Sequence, residues 1–335
     1  MPTVFVVTPA FCTDDNRRLP LLLQTIHWVR QQTHGDYLHI VVDDGSTDST
    51  PAVLERLSRS DQRLRVFRKK NGGSSAAINH GIKQALASNR PDYITVCHSD
   101  DLLLPNSLEM RVKLATNSKA ELVYTDELVI YHTGRPPKHR SAREYATSEK
   151  LFNGLLEHIG IPYGTMLWDA NFFLNKLQGF DERLTSAEDW DIALRSAKEL
   201  KAGQAAHAMD HCVTMAKRDH KDCLRLKNIR DGTKERCYAI ILRKHLNEEE
   251  YQDAMAREKC SRLQQPKLLV RMKEMLHRLE RPKRLHDALA SMRHRRQLRQ
   301  MRLAYPNEIE YDAYIGAFLK QLDEVDYGLM LDRAA

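Results

Sequence analysis

The run Asp43-Asp44-Gly45-Ser46-Thr47-Asp48 directly follows the apolar stretch Leu38-His39-Ile40-Val41-Val42. It places two carboxylates at the carboxyl end of a buried strand, where an open α/β sheet binds its ligand. A second acidic pair repeats the arrangement, because the strand-like run Tyr93-Ile94-Thr95-Val96-Cys97 precedes His98-Ser99-Asp100-Asp101. Two strands that end in carboxylates predict a site for a metal ion and a phosphorylated ligand.

Short β-rich runs alternate with helical patterns through the first part of the chain. Such alternation is typical of βαβ units and predicts an α/β fold with a mainly parallel sheet flanked by helices. The patterns predict strands at residues 3–8, 37–43, 64–67, 93–97 and 122–131, and helices at 19–32, 50–59, 75–88, 106–117 and 185–200. Residues 133–148 are rich in Gly, Pro and charged side chains, which predicts a loop near the site.

The composition is that of a globular protein with one large domain and an accessory region. Of the 335 residues, 42% are hydrophobic and 29% are charged, as in ordinary folded domains. No apolar run approaches the ~20 residues that span a bilayer, and the N-terminus lacks the basic-then-apolar pattern of a secretory signal. The six cysteines form no C-x-x-C pair, which favours reduced thiols. These observations predict a cytoplasmic protein.

The positive charge is concentrated in one C-terminal segment. Residues 261–304 contain 13 Lys and Arg against 3 acidic residues, whereas residues 305–335 contain 2 against 7. Within residues 266–303 apolar positions recur at helical spacing among basic ones, which predicts amphipathic cationic helices. These helices would pack on the preceding domain or a second subunit, or rest on anionic lipid at the inner face of the membrane. They lack interleaved aromatic residues, which argues against nucleic-acid binding.

Several motifs follow one another along the first two-thirds of the chain. They are Val4-Phe5-Val6-Val7-Thr8-Pro9, Val41-Val42 with the acidic run quoted above, Asn71-Gly72-Gly73-Ser74-Ser75-Ala76-Ala77-Ile78-Asn79-His80-Gly81-Ile82, His98-Ser99-Asp100-Asp101 with Leu104-Pro105, Gly179-Phe180-Asp181-Glu182, and Glu188-Asp189-Trp190-Asp191-Ile192-Ala193-Leu194-Arg195. In this order, over residues 4–220, they resemble the inverting family 2 nucleotide-sugar glycosyltransferases of the GT-A fold. The resemblance implies a GT-A (Rossmann-like) domain over residues 1–245 and a helical C-terminal extension over residues 246–335, with basic amphipathic helices and then an acidic tail.

The resemblance also implies where the base of a UDP-sugar donor would bind. Asp44 matches the family's carboxylate that accepts a hydrogen bond from the uracil N–H, a role that suits a group without a competing donor. Asp43 would support it, and Thr8 and Pro9 would form the wall beside the base. On the residues alone, the same segment also fits a turn that ends the strand.

A glycine-rich segment and a late basic residue would face the phosphates. Gly73 allows close backbone approach, and Ser74 begins a predicted helix whose N-terminal N–H groups could face the nucleotide. Arg218 lies in a segment that resembles the one where many relatives carry a late histidine that approaches the metal or the diphosphate. We therefore expect Gly73, Ser74 and Arg218 to bind the donor.

A divalent cation is expected because two negative charges build up on the departing diphosphate. Hard oxygen ligands suit Mn²⁺ or Mg²⁺, and Asp100 and Asp101 are the candidates, with Asp100 also facing the donor. His220 matches the family's late histidine and is a third candidate ligand. The family's acidic motif is commonly Asp-x-Asp-Asp, and here His98 stands in the place of its first Asp. On the residues alone, Asp100 and Asp101 could instead shape the turn before the next helix.

Asp189 is the candidate general base. An inverting transfer needs one carboxylate to take the proton of the acceptor hydroxyl as that oxygen attacks the anomeric carbon, and the family places this base in its Glu-Asp motif. Glu188 would orient or support it. The structural alternative is a capping box between Thr185 and Glu188 at the start of a helix.

These assignments imply a metal-dependent enzyme of the hexosyltransferase type. It would move a sugar from a UDP-sugar to a hydroxyl of a glycan or lipid-linked acceptor in cell-surface polysaccharide synthesis. One rival is a nucleotide-sugar-binding protein in which His98 has impaired catalysis. Another is a sugar nucleotidyltransferase, although the sequence shows no Gly-rich, Arg/Lys-terminated triphosphate loop near the N-terminus.

Overall fold

The computed structural model describes residues 1–131, 136–157, 160–219, 233–263 and 315–322. The strands are β1 (Val4–Ala10), β2 (Tyr37–Asp43), β3 (Leu64–Arg68), β4 (Tyr93–Val96), β5 (Leu102–Leu103), β6 (Leu122–Tyr131), β7 (Lys138–Arg140), β8 (Leu167–Asp169) and β9 (His207–Asp219). The helices are α1 (Leu19–Arg30), α2 (Thr50–Ser60), α3 (Ser74–Ala85), α4 (Ser107–Ser118), α5 (Ser148–Glu157), α6 (Glu188–Gly203), α7 (Thr233–His245), α8 (Glu248–Leu263) and α9 (315–322). Single turns of 3₁₀ helix and π-helix form at Tyr163–Thr165 and Phe172–Leu177.

One sheet joins the strands in the order β3-β2-β1-β4-β8-β6-β9-β5, with β7 paired to β6. Strands β1 to β4 are mutually parallel and β6 is parallel to β9, whereas β8 is antiparallel to both of its neighbours. The predicted α/β fold with a mainly parallel sheet flanked by helices is therefore confirmed. Because β1, β2 and β4 run in the same direction, the Asp43-Asp44 and Asp100-Asp101 segments that follow β2 and β4 lie at one edge of the sheet.

The central strands are buried on both faces. Every residue of β1 and β2 is buried, because one apolar cluster joins these strands to α3 and α6 and another joins β2 to α1 and α2. This two-sided burial explains why β1 and β2 are almost continuous apolar runs without polar alternation.

Gly81 allows α3 to pack directly on β2. A Cβ atom at this position would lie 2.5 Å from Val42 Cγ2 and 3.0 Å from Ile40 Cγ2. We expect Gly81→Ala to lower the free energy of unfolding by about 1–3 kcal/mol through overpacking, in spite of the ~1 kcal/mol helix preference for Ala. Gly203→Ala in α6, where no atom lies within 4 Å of the new Cβ, is the control. Urea unfolding of both variants tests this, and equal midpoints would contradict it.

His39 on β2 links folding to pH. It is 2% exposed, its Nε2 lies 3.0 Å from Thr8 Oγ1, and burial lowers its pKa to about 3. Because the unfolded chain takes up this proton near the usual pKa of 6.5 and the native protein does not, stability is complete above pH 6.5 and falls as the pH drops towards 3. We expect a loss from this group of up to ~1.4 kcal/mol per pH unit. Urea unfolding of wild type and His39→Gln between pH 7.5 and 5 should show a shallower decline for the variant; parallel declines would refute the assignment.

Three elements after β6 depend on contacts with distant parts of the chain, and the sequence patterns did not predict them. Strand β7 forms inside the predicted loop at 133–148 because it pairs with β6, where Arg140 lies 2.8 Å from Glu127. The long strand β9 pairs with β6 across 85 residues of sequence and contains a bulge that disrupts its alternation. Helix α5 packs against α6. The prediction that residues 133–148 lack regular structure is thus wrong at 138–140.

The C-terminal part of the described chain packs on the sheet domain. The ring of Tyr238 in α7 packs at a tilt against that of Trp190 with centroids 4.5 Å apart, and the ring of Phe318 in α9 lies 4.7 Å from that of Trp28 in α1. Within the described ranges no helix combines the length and apolar character needed to cross a bilayer. The predicted basic helices at 266–303 lie outside the described residues, and the boundary after residue 245 stays a prediction.

Candidate active site

The Asp43 side chain shapes the turn after β2. Its Oδ1 accepts a hydrogen bond from Ser46 N at 2.8 Å, and Oδ2 lies 3.3 Å from Arg68 Nε. Gly45 adopts a φ of +84° in this turn, and a Cβ there would lie 2.9 Å from Asn71 N. The turn alternative is therefore present for Asp43, and only glycine fits at position 45 without strain.

Asp44 ties this turn to the start of α3. Its carboxylate accepts hydrogen bonds from Gly72 N at 3.0 Å and Gly73 N at 2.8 Å, and Lys69 Nζ lies 2.9 Å from it. The side chain is 3% exposed. Gly72 N also lies 3.1 Å from Oδ2, so each carboxylate oxygen already has two donors within hydrogen-bond distance. Asp44 thus fixes the glycine loop beside the place predicted for the nucleotide.

The other residues predicted to bind the sugar donor lie at the same edge of the sheet and differ in burial. Thr8 is fully buried and its hydroxyl lies against His39, while Pro9 is buried beside it at the end of β1. Ser74 is half-buried at the first position of α3, next to the Glu188 carboxylate, whose pKa it lowers slightly. Contact of these residues with a nucleotide stays a prediction.

Asp100 and Asp101 lie in the loop between β4 and β5. Burial and the neighbouring charge of Asp100 raise the pKa of Asp101 to about 7. Arg218 holds this loop, since its backbone N donates to Asp101 Oδ1 at 3.1 Å and its Nη1 donates to the Asp100 carbonyl at 3.2 Å. Arg18 Nη1 lies 3.9 Å from Asp100 Oδ2. Arg218 therefore lies beside the acidic pair, and its contact with a donor stays a prediction.

The adjacent carboxylates of Asp100 and Asp101 are suited to a divalent cation, because the negative charge of Asp100 makes ionisation of Asp101 less favourable when no cation is bound. In the part of the chain that the structure describes, no group of three His, Cys, Asp or Glu side chains is arranged to hold a metal. A hard cation that takes one or two carboxylates and completes its shell with phosphate oxygens and water, as Mg²⁺ commonly does, suits the pair. His220 lies outside the described residues.

Glu188 and Asp189 open helix α6, three residues later than the sequence pattern predicts. The preceding Ala187 has a φ of +60°, a left-handed conformation that is strained for a residue with a side chain. No side chain caps this helix, so the capping box that the sequence allowed between Thr185 and Glu188 does not form. The acidic pair therefore stands at a sharply turned helix start, where the Asp189 carboxylate accepts the N–H of Trp190 in the first turn.

The surroundings of the acidic pair are polar and enclosed. Burial and the neighbouring Asp189 raise the pKa of Glu188 to about 7. Asp189 Oδ1 accepts a hydrogen bond from Trp190 N at 2.8 Å, and Trp190 Nε1 donates to the Leu155 carbonyl at 2.6 Å. One turn later Asp191 lies 2.8 Å from Arg195 and 2.7 Å from Lys244 of α7. These contacts anchor the first turn of α6.

Lys217 lies within the electrostatic influence of both Asp101 and Asp189. The sequence patterns assigned no role to this lysine. Burial alone lowers its pKa, but the carboxylates of Asp101, Glu127 and Asp189 together raise it above the usual range. The charges of carboxylates from three separate segments therefore act on one ammonium group. The available signal was a lysine that directly follows the apolar run Val213 to Ala216 in the sequence.

A buried acidic pair on β6 was also missed. Asp126 is fully buried; its carboxylate lies 2.8 Å from His139 Nε2 and 3.3 Å from His211 Nδ1. Glu127 is 1% exposed and pairs with Arg140. These contacts bind β7 to β6 behind the site. Two charged residues within an otherwise apolar strand run were the signal.

His98, which replaces the first Asp of the family pattern, packs against an aromatic ring. Its centroid lies 5.3 Å from that of Tyr163, and burial lowers the pKa of the imidazole. A neutral ring thus occupies the place where the family pattern has a negative charge.

The sequence and the fold of this chain are similar to those of known proteins. Residues 6–173 match the family model for glycosyl transferase family 2. An uncharacterized glycosyltransferase from Rickettsia bellii is 29% identical over 57% of this chain and 27% of its own length, and chondroitin synthase from Pasteurella multocida is 25% identical over 74% of this chain and 23% of its own. The chain thus spans about a quarter of the length of these relatives.

Two solved structures share the fold. TarS from S. aureus in complex with UDP-GlcNAc superimposes with a TM-score of 0.56 at 17% identity, over 76% of this chain and 71% of that one. The mannosyltransferase PcManGT from Pyrobaculum calidifontis, solved with GDP-Man and Mn²⁺, gives a TM-score of 0.51 at 17% identity over 97% and 88%. These likenesses confirm the predicted GT-A fold. Together with the family match over half of its residues, they show that the chain belongs to glycosyl transferase family 2.

Proposed function

We propose that this glycosyltransferase is an inverting, metal-dependent enzyme of the hexosyl type that moves a sugar from a UDP-sugar to an acceptor hydroxyl. The observation that supports it best is that the Asp43-Asp44 and Asp100-Asp101 segments follow parallel strands to one edge of the sheet, where Arg218 N also contacts Asp101. The charges of Asp101 and Asp189 both act on the buried Lys217. An inverting transfer needs a diphosphate site and a general base at opposite sides of one anomeric carbon. Asp101 belongs to the first of these groups and Asp189 to the second.

The donor would lie across the edge formed by β1, β2 and β4. Asp44 would accept the uracil N–H, supported by Asp43, with Thr8 and Pro9 at the end of β1 beside the base. Gly73 and Ser74 would face the phosphates from the start of α3, where helix N–H groups favour anions. The fold neighbour TarS was solved with UDP and UDP-GlcNAc, whereas PcManGT was solved with GDP-Man, so GDP is the natural comparison ligand.

Asp100 and Asp101 would hold Mn²⁺ or Mg²⁺, with His220 as a further ligand. A cation bound there would offset the negative charge that builds up on the leaving diphosphate. Arg218 and Arg18 are already placed beside the same loop, and their guanidinium groups suit phosphate oxygens. The ammonium group of Lys217 adds positive charge on the side that faces Asp189.

Asp189 would take the proton of the acceptor hydroxyl while that oxygen attacks the anomeric carbon. Glu188, whose pKa lies near 7, would retain a proton part of the time and so could donate or accept a hydrogen bond beside the base. The strained Ala187 and the anchored Asp191 would hold this first turn in a fixed direction, as a base near its target requires.

A glycan or lipid-linked acceptor in cell-surface polysaccharide synthesis is the substrate that we infer. Relatives bear the names chondroitin synthase and putative teichuronic acid biosynthesis glycosyltransferase TuaG, and both products are polysaccharides. The basic segment at 266–303 would rest on anionic lipid or join a second subunit. The enzyme would then work in the cytoplasm at the inner face of the membrane, with the catalytic domain over residues 1–245 and the helical extension over residues 246–335.

Calorimetric titration with UDP, with and without Mn²⁺ and with GDP in comparison, tests the donor site. We expect Mn²⁺ to tighten UDP binding and UDP to bind at least about tenfold more tightly than GDP, a difference of ~1.4 kcal/mol. Preferential GDP binding would move the assignment to a GDP-sugar. Failure of the wild type to bind either nucleotide would refute the donor site.

His98 favours one second candidate, a nucleotide-sugar-binding protein with impaired catalysis. A neutral imidazole in place of an acidic residue weakens the negative field beside Asp100 and Asp101. Release of UDP from a UDP-sugar that the protein binds, measured with and without Mn²⁺, separates the two functions. Binding without any release or transfer, across UDP-sugars and acceptors, would favour the second candidate.

A further inference from the structure

Tyr163 lies between the two charged ends of the proposed site. It opens the 3₁₀ turn before β8, and its ring contacts His98, which begins the loop of the Asp100-Asp101 pair. Burial raises the pKa of the phenol well above its usual range, and the nearby carboxylates of Glu188 and Asp189 add to this effect. The ring also packs against Trp168 and Phe180, and the turn that carries it contacts α6, the helix that begins with Glu188 and Asp189.

The hydroxyl of Tyr163 is buried without a hydrogen-bond partner. The residue is 8% exposed, and its OH meets no donor or acceptor among the residues that the structure describes. Buried hydroxyls are normally paired, because an unpaired one loses its bonds to water without compensation. An unpaired phenol next to catalytic carboxylates is a group arranged for a ligand.

The backbone around Tyr163 is held firmly, so the unpaired hydroxyl is not the result of a loose turn. The fully buried Arg111 donates to the carbonyls of Gly164 and Met166, each at 3.4 Å, and to Thr95 Oγ1 at 2.9 Å. Thr165 Oγ1 donates to the Thr125 carbonyl at 3.0 Å. A Cβ on Gly164 would lie 2.3 Å from Met215 Sδ. The turn is therefore fixed from three sides.

We propose that the Tyr163 hydroxyl donates a hydrogen bond to a hydroxyl of the sugar being transferred, and that it thereby helps to select that sugar. The inference rests on the proposed function, since the anomeric carbon must lie between the diphosphate and the base. A side chain that spans these two ends faces the sugar ring and not the nucleoside. The phenol remains neutral at physiological pH, so it serves as a donor.

Tyr163→Phe tests this role because it removes only the oxygen atom. Calorimetry in Mn²⁺ would compare UDP with UDP-glucose, UDP-galactose and UDP-GlcNAc. We expect the affinity for UDP to stay within twofold. The affinity for the best-bound UDP-sugar should fall about 5- to 20-fold, and the differences in affinity between the UDP-sugars should become smaller. The unfolding midpoint of the variant should equal or exceed that of wild type, because the change removes an unpaired buried hydroxyl.

Tyr124→Phe is the matched control. The Tyr124 hydroxyl is also buried, but it donates to the Arg143 carbonyl at 3.2 Å, so this variant should lose stability and keep the sugar ranking. An unchanged ratio of UDP-sugar to UDP affinity in Tyr163→Phe would overturn the inference, as would a midpoint lowered as far as in the control. If wild type binds no UDP, the proposed donor site fails first and the inference falls with it.

Discussion

Asp189→Asn is expected to reduce glycosyl transfer by about 10²- to 10⁴-fold, the usual contribution of a general base. The amide has nearly the same shape and its oxygen can still accept the bond from Trp190 N, but it cannot take a proton from the acceptor hydroxyl. UDP affinity should stay within twofold, because our proposal puts Asp189 at the acceptor side of the anomeric carbon. Steady-state transfer kinetics and calorimetric titration with UDP measure the two effects.

Glu199→Gln, at a half-buried position of the same helix, is the control for a lost carboxylate in α6, and it should retain wild-type turnover. A variant that loses UDP affinity and turnover together would place Asp189 in donor binding. Turnover within tenfold of wild type would assign the base to another group.

Asp101→Asn is expected to abolish the effect of Mn²⁺ on UDP binding and to reduce transfer by at least about 100-fold, since even groups that only support a metal ligand contribute 10- to 100-fold. The same substitution should stabilise the protein at high pH. Burial and Asp100 raise the pKa of Asp101 to about 7, so ionisation of this group works against folding, and the wild type loses stability as the pH rises from about 4 to 7.

The gain in the variant should therefore be largest near pH 8 and vanish near pH 4. Urea unfolding at several pH values and Mn²⁺ titrations measure the two effects, with Glu55→Gln as the control at an exposed ion pair of α2. A variant that still responds to Mn²⁺ would refute the metal assignment. A destabilised variant at pH 8 would show that the Asp101 charge supports the fold.

The strands and helices around β1 to β4 could be predicted because each carries its own signal. The runs of β1 and β2 are almost continuously apolar, since both faces of these strands are covered, and an acidic turn with a glycine follows β2. Strands β7 and β9 could not be predicted in this way. They acquire their conformation from pairing with β6, and a bulge shifts the register between Thr125 and Glu127, so local periodicity does not reveal them.

The site followed the same division. Asp43, Asp44, Asp100 and Asp101 could be predicted as site residues because they form acidic pairs at strand ends. That position in an α/β fold is where ligands bind. Lys217 and Tyr163 gave no such signal, since a lysine in a strand and a tyrosine in a Gly-Pro-rich stretch are common surface residues. Only the folded chain brings their side chains among the carboxylates.

The contact between α9 and Trp28 links a segment near the C-terminal end of the sequence to the neighbours of the proposed site residues. The apolar cluster beneath α9 contains Leu102, the residue after Asp101, and Ala216, the residue before Lys217. A shift of α9 would therefore be transmitted to both charged residues through their nearest neighbours in the chain. A random-mutagenesis screen for lost transfer should accordingly recover apolar positions of 315–322, although we assign no ligand contact to that helix.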